Sequence, residues 1–222
     1  MLLIDGGAPR ASRAAAGSLT IYVEGPTDRS ILRAWANRLM PQRARQVLAD
    51  SVILGGRQPA RAIEHFGRNL AERPGARALC VLDRDDGAAP LPDPNGYALE
   101  FFTWSRRHIE SYLVVPDAIR RALELPAHDH RIERTFERHL PDADDESGWR
   151  ELDAKRLLAP QGALPRALGR PLPLARIARV TREHELHPDV LALFARVEAL
   201  ASGAAARSEP QASEDQRNDP AR

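Results

Sequence analysis

Leu19-Thr20-Ile21-Tyr22-Val23-Glu24-Gly25-Pro26-Thr27-Asp28 joins a short, β-prone apolar run to a turn and then to the first turn of a helix. The apolar run stops at Glu24-Gly25-Pro26, and Thr27 is placed to cap a helix in which Ile31, Leu32, Trp35 and Leu39 recur at helical spacing until Pro41. The same grammar then repeats. Ser51-Val52-Ile53-Leu54 before Gly55-Gly56 predicts a second strand and a tight turn, and residues 59–72 predict a helix closed by Pro74-Gly75. Ala78-Leu79-Cys80-Val81-Leu82 predicts a third strand running into Asp83-Arg84-Asp85-Asp86-Gly87, and 97–103 a fourth after a Pro/Gly/Asp loop over 87–96. Short, continuously apolar strands alternating with helices of about a dozen residues indicate βαβ units, hence an α/β fold with a parallel, Rossmann-like sheet and helices on both faces.

Beyond Ser105 only helical patterns follow, over 106–113, 116–124, 130–140, 150–158, 173–181 and 188–201, which predicts a C-terminal all-helical subdomain. Residues 1–17 lack periodicity and read as a flexible leader. Residues 203–222 carry too few apolar side chains to offset the entropy of ordering them and read as a disordered tail. No apolar stretch approaches the ~20 residues of a membrane span, and no secretory signal opens the chain, so a cytoplasmic protein with no membrane partner is expected. Cys80, the single cysteine, excludes an internal disulfide and any Cys-only zinc site. His128, Asp129, His130, His184 and His187 fall in loop-like or helix-end segments without matching ligands and read as surface groups, so no zinc is expected.

The formal net charge is +1, which gives no bulk-charge argument for a nucleic-acid partner. The basic residues comprise a single lysine, Lys155, the rest being arginine. Where composition favours arginine, a surface lysine is readily replaced, whereas a compact ammonium in a tight site is not. Lys155 is therefore a candidate functional residue, against the plainer reading of a lysine paired with Glu151 along one helix. The arginine-rich stretches 120–138 and 166–182 read as solvated faces or as a DNA-backbone surface.

In a parallel sheet, the residue after each strand lies at the carboxyl edge, where ligands bind in open α/β folds. That edge is acidic here. Glu24 follows the first strand with Asp28 a helical turn on, and Asp83 and Asp85 follow the third, two apart and able to address one ion. The bland reading is an acid at a helix N-terminus in the first case and an acidic turn in the second. Glu24 and Asp83 share a site only if strands one and three are neighbours, which favours order 2-1-3 and places the cleft at their switch point. A further acid, Glu110, lies just beyond the fourth strand, with Arg106 and Arg107 spaced to pair with it along a helix or to hold substrate phosphates. All-oxygen donors of this kind suit Mg²⁺ or Mn²⁺.

Glu24-Gly25…Asp28 together with Asp83-Arg84-Asp85 resemble the two signatures of the toprim domain, which topoisomerases, bacterial primases, recombination proteins and small nucleases share. The resemblance covers residues 18–115. The stretch from Trp104 to Pro116, with Ile109-Glu110-Ser111-Tyr112-Leu113 at its centre, is similar more narrowly to the toprim nucleases of the OLD (overcoming lysogenization defect) family. In that family a lysine downstream of the toprim core contributes to the active site, and Asp153-Ala154-Lys155-Arg156-Leu157-Leu158 stands in the matching place.

The resemblance implies a toprim catalytic domain over 18–115 and a helical domain over 116–202 contributing Lys155. It implies a nuclease that hydrolyses DNA by a two-metal mechanism. Glu24, Asp28, Asp83, Asp85 and Glu110 would hold two Mg²⁺ or Mn²⁺ ions, with Ca²⁺ expected to bind without supporting cleavage. Lys155, Glu24 and Asp83 would be catalytic, and Arg84, Arg106 and Arg107 would touch substrate phosphate. The family joins this region to an N-terminal ATPase, yet no GxxxxGK[ST] phosphate loop occurs here, so that partner is expected outside this chain, as it would be for a C-terminal fragment of a longer protein or for a stand-alone nuclease. The rivals are a phosphoacceptor receiver, which also gathers acids at strands one and three but ends a fifth strand in lysine, and a catalytically inactive toprim scaffold.

Overall fold

β1 (Leu19–Val23) runs through the middle of the molecule and is buried along its whole length. It is followed by α1 (Pro26–Leu39), α2 (Ala44–Ala49), β2 (Val52–Ile53), α3 (Pro59–Leu70), β3 (Arg77–Leu82) and β4 (Leu99–Thr103). The structure, a computed structural model, describes residues 18–49, 51–85, 89–94 and 96–203. The leader expected over 1–17, and the tail expected over 203–222 apart from Gly203, lie outside the described residues, as do Asp86 and Gly87 of the acidic turn.

The sheet has the order β2-β1-β3-β4, and every pairing is parallel: Tyr22 faces Val52, Ile21 faces Leu79, and Cys80 faces Phe101. Strands one and three are thus neighbours, as a shared acidic site requires. Alternation along the strands sorts the side chains into two cores. Ile21, Val23, Leu79 and Val81 face α1 through Ile31, Leu32 and Trp35, while Tyr22, Ala78, Cys80 and Leu82 face α3 through Ala62, Ile63 and Phe66. Cys80 is fully buried in the second core, where burial pushes its thiol up to about 12, a packing residue rather than a nucleophile.

After β4 the chain is helical: a 3-10 turn (Ile109–Leu113), α4 (Pro116–Leu123), α5 (Arg131–His139), α6 (Glu146–Glu151), α7 (Ala154–Leu158), α8 (Ala163–Leu168), α9 (Leu174–Val180), a second 3-10 turn (Glu183–Glu185) and α10 (Pro188–Ala201). α9 packs on α1 and α4, and α10 on β3, so that Ile177, Val190 and Phe194 share one hydrophobic cluster with Ile21 and Trp35. No helix among the described residues is long and apolar enough to cross a membrane.

Several expected elements change form. The helix expected over 106–113 is only the 3-10 turn, because His108 is extended (φ −135°, ψ 153°). The helix expected over 150–158 is two helices, because the Asp153 carboxylate accepts a hydrogen bond from the backbone N–H of Arg156 and starts a new one. α2 and α8 were not expected. α8 carries Pro165 in its first turn, where proline costs no hydrogen bond. His187, expected at the surface, is the N-cap of α10 and packs edge-on against Tyr112.

Candidate functional site

The acids at the carboxyl edge are held mainly by backbone. Glu24 leaves β1 with its carbonyl accepting from the N–H groups of Gly55 and Gly56, both at 3.0 Å. Those two glycines have φ of +81° and +119°, which side-chain-bearing residues rarely adopt, so this grip depends on glycine. The Glu24 carboxylate accepts from the backbone N–H of Asp83 at 2.9 Å, bridging the ends of β1 and β3. Asp28, in the first turn of α1, accepts from the N–H of Gly25 at 2.7 Å.

Asp83 is the common neighbour. It is 5% exposed. Its Oδ1 accepts from the Ile109 N–H at 3.1 Å, its Oδ2 lies 3.3 Å from His108 Nδ1 and 3.9 Å from Lys155 Nζ, and its carbonyl accepts from the Arg57 guanidinium. Glu110, on the 3-10 turn, is 3% exposed, and its Oε2 is buried without a hydrogen-bond partner. Asp85 is exposed. Lys155 stands on α7 with its side chain largely open to solvent.

Crowding carboxylates at a partly dry edge disfavours their charged forms. Glu24 is pushed up to about 7, first by burial and then by Asp83, Asp85 and Asp28. Asp28 and Glu110 are raised by burial first, with Asp83 adding to both. Burial alone would lower Lys155, but attraction to Glu110, Asp83, Asp28 and Glu24 outweighs it and raises the ammonium's pKa. His108 is raised chiefly by its hydrogen bond to Asp83. The edge is an anionic pocket with one ammonium and one imidazole at its rim.

The structure brings Glu24, Asp28, Asp83, Glu110 and Lys155 into this neighbourhood, with Asp85 at its exposed margin. The arginines expected on phosphate have partners within the chain. Arg84 pairs with Glu151, which removes the Lys155–Glu151 pair from consideration, and Glu151 in any case lies on α6 rather than on the helix of Lys155. The Arg106 guanidinium lies over the Trp149 ring at 4.6 Å and 3.9 Å from Glu146, rather than pairing with Glu110. The Arg107 backbone is bonded to Arg84 and Arg150. Sequence reasoning passed over His108, Arg57 and Asp153. His108 stands between Arg107 and Ile109 with no pattern to single it out, whereas Asp153 two residues before Lys155 is a legible helix-cap signal.

The donors are all oxygen, and repulsion among them, with Glu110 Oε2 left unpaired, is the electrostatic condition that a hard divalent cation relieves. The residues therefore fit such an ion. Among the described residues no three acidic, histidine or cysteine groups converge as a ready-made metal cage, so binding requires side-chain rotation about the fixed backbone.

A four-stranded parallel sheet with helices on both faces and acids gathered at the carboxyl edge of its two central strands makes this an α/β protein, and its architecture is consistent with the toprim-like fold expected from the sequence. No protein-family profile and no curated protein matches the chain. It is similar to the solved C-terminal region of the Burkholderia pseudomallei OLD protein, at 15% identity over 83% of this chain and 98% of that one, with a TM-score of 0.49. A second similar structure is the C-terminal region of the Xanthomonas campestris pv. campestris OLD protein, at 15% identity over 83% of this chain and 94% of that one, with a TM-score of 0.45.

Proposed function

We propose that this chain is a divalent-metal-dependent nuclease that hydrolyses DNA phosphodiester bonds. The observation that carries the reading is the surrounding of Asp83: acids from β1, α1 and the 3-10 turn on one side, and the ammonium of Lys155, 3.9 Å away, on the other. Bound in pairs, Mg²⁺ or Mn²⁺ supplies a nucleophilic water and stabilises the leaving oxygen. Glu24, Asp28, Asp83, Asp85 and Glu110 are the residues that would hold the ions. Lys155, at the open rim, would face the scissile phosphate as negative charge grows on it, and a fixed charge aimed there lowers the barrier. In this reading residues 18–115 supply the acids and 116–202 the lysine. DNA is the substrate, the setting is cytoplasmic, and an ATPase is the partner domain.

A receiver-like phosphoacceptor is disfavoured because Lys155 lies on α7 rather than ending a strand, and the sheet of the described residues has four strands. Incubating plasmid DNA with the protein in Mg²⁺, Mn²⁺, Ca²⁺ or EDTA tests the proposal. Cleavage with Mg²⁺ or Mn²⁺ that Ca²⁺ and EDTA do not support is the expected result. Intact plasmid under every condition would leave the inactive scaffold as the better reading. Glu24→Ala, Asp83→Ala and Asp85→Ala are each expected to abolish cleavage, and a wild-type rate in any of them removes that residue from the site.

A further inference from the structure

The arginines of the helical region are mostly committed to holding it together. Arg120 pairs with Glu133, Arg121 with Glu185, Arg131 with Asp129, and Arg176 with Glu124, while Arg170 donates to the carbonyl of Leu123. Among the described arginines of this region that form no ion pair, two stand in one concavity. Arg156 and Arg166 line one concavity of about 480 Å³ with His139, Gln161 and Asp153. Both arginines are exposed and, among the described residues, neither forms an ion pair; Arg166 donates only its Nε, to the Gly162 carbonyl at 3.3 Å, which leaves its outer nitrogens unused. Asp153, the one acid in the lining, accepts from the backbone N–H of Arg156 at 2.9 Å and lies 3.7 Å from His108 Nε2.

Asp153 is thereby the wall shared by this groove and the acidic edge. His108 touches Asp153 with one ring nitrogen and Asp83 with the other, and α7 presents Lys155 to Asp83 while its next residue, Arg156, lines the groove.

We propose that the groove between α5, α7 and α8 binds the backbone phosphates of the nucleic-acid strand beyond the scissile bond, with Arg156 and Arg166 as the contacting residues. This rests on the nuclease reading. Guanidinium forks match phosphate oxygens in pairs, and an arginine with no internal carboxylate loses no ion pair on taking one up. A strand threaded past Lys155 meets positive charge on leaving the anionic pocket, which draws its path along the groove.

The test uses the full chain and a fluorescently labelled DNA duplex in EDTA, so that binding is read apart from cleavage. The double variant Arg156→Glu/Arg166→Glu is expected to lose affinity about tenfold or more at low salt. The slope of log affinity against log salt should shrink by about 0.9 for each phosphate contact removed. Arg156→Ala/Arg166→Ala should show a smaller loss in the same direction. Arg38→Glu, an exposed charge reversal on α1 away from the groove, should bind as wild type does. Unchanged affinity in the double variant with an unchanged melting temperature overturns the proposal. So does an equal loss in Arg38→Glu, which would mean attraction by overall charge, and so does a wild-type protein that does not bind DNA. Wild-type binding without metal-dependent cleavage, with the groove variants impaired, would instead refute the nuclease reading and leave the groove as a nucleic-acid surface.

Discussion

Lys155 and Arg156 are neighbours of like charge with different surroundings, and their substitutions should separate accordingly. An ammonium is a compact point charge and a guanidinium a longer planar fork, so Lys155→Arg should fail although charge is kept. The expected loss in cleavage rate is ~10²–10³-fold, or about 3–4 kcal/mol of transition-state stabilisation, for both Lys155→Arg and Lys155→Ala. DNA affinity in EDTA should change far less, since one phosphate contact is a small part of backbone binding. Near-normal cleavage by Lys155→Ala would remove the residue from the site.

Glu24 carries a second expectation, in pH. Its carboxyl titrates at about 7 in the fold against 4.5 for an unperturbed glutamate, so between these values the folded chain holds a proton that the unfolded chain has released. The contribution of Glu24 to stability then falls as pH rises through that window. The raised Asp28 and Glu110 act in the same sense. So does His108, whose pairing with Asp83 contributes fully below 6.5 and is lost as pH rises through its raised value. His187, whose pKa burial lowers, acts in the opposite sense but, among the described residues, stands alone against these four; in EDTA the melting temperature should decline from pH 4.5 to pH 8, and Glu24→Gln should flatten the decline and melt higher at pH 8. A wild-type melting temperature that rises across this range contradicts the proposed electrostatics.

At the scale of elements, α7 sets where Lys155 stands, and the turn into α8 sets α7. A Cβ built on Gly162 would meet the carbonyl oxygens of Leu157 and Arg156 at 2.3 and 2.4 Å, backbone atoms that cannot rotate away. Gly162→Ala should therefore cost about 1–3 kcal/mol, as overpacking does. A melting temperature lowered by ~2–4 °C per kcal/mol is expected in a chain of this size, and an unchanged one would show that the turn relaxes. The βα units were legible because continuous apolar runs ending in Glu24-Gly25-Pro26 and Asp83-Arg84-Asp85 leave little choice of strand end, and the need for Glu24 to reach Asp83 specified the strand order. The helical region was less legible for local reasons: the cap at Asp153 splits an apparently continuous pattern, an extended His108 shortens another, and Pro165 conceals α8. The acids of the site could be read from strand ends, whereas His108 and Arg57 reach Asp83 only through tertiary packing, which has no sequence period. The Glu110 partner expected for Arg106 gave way to Trp149 and Glu146 for the same reason, since both arrive from α6.

The whole molecule shares its main core across the junction at 115/116. Trp35 and Val81 are covered in part by the helices that bring Ile177 and Phe194, so removing residues 116–202 would uncover the sheet's inner face. A single calorimetric unfolding transition is expected, and residues 18–115 expressed alone should aggregate. Two resolved transitions would show that the halves fold independently. Around that core Arg121 donates to the Val180 carbonyl through both Nε and Nη2 while pairing with Glu185, and Arg131 grips both oxygens of Asp129 while donating to the Leu168 carbonyl. An ammonium cannot span such acceptors from a single nitrogen. The near absence of lysine is consequently no matter of codon usage alone at these positions: exchanging arginine for lysine would keep every charge and still unfasten one helix from the next, so this scaffold tolerates drift between the two residues only where the side chain clamps nothing.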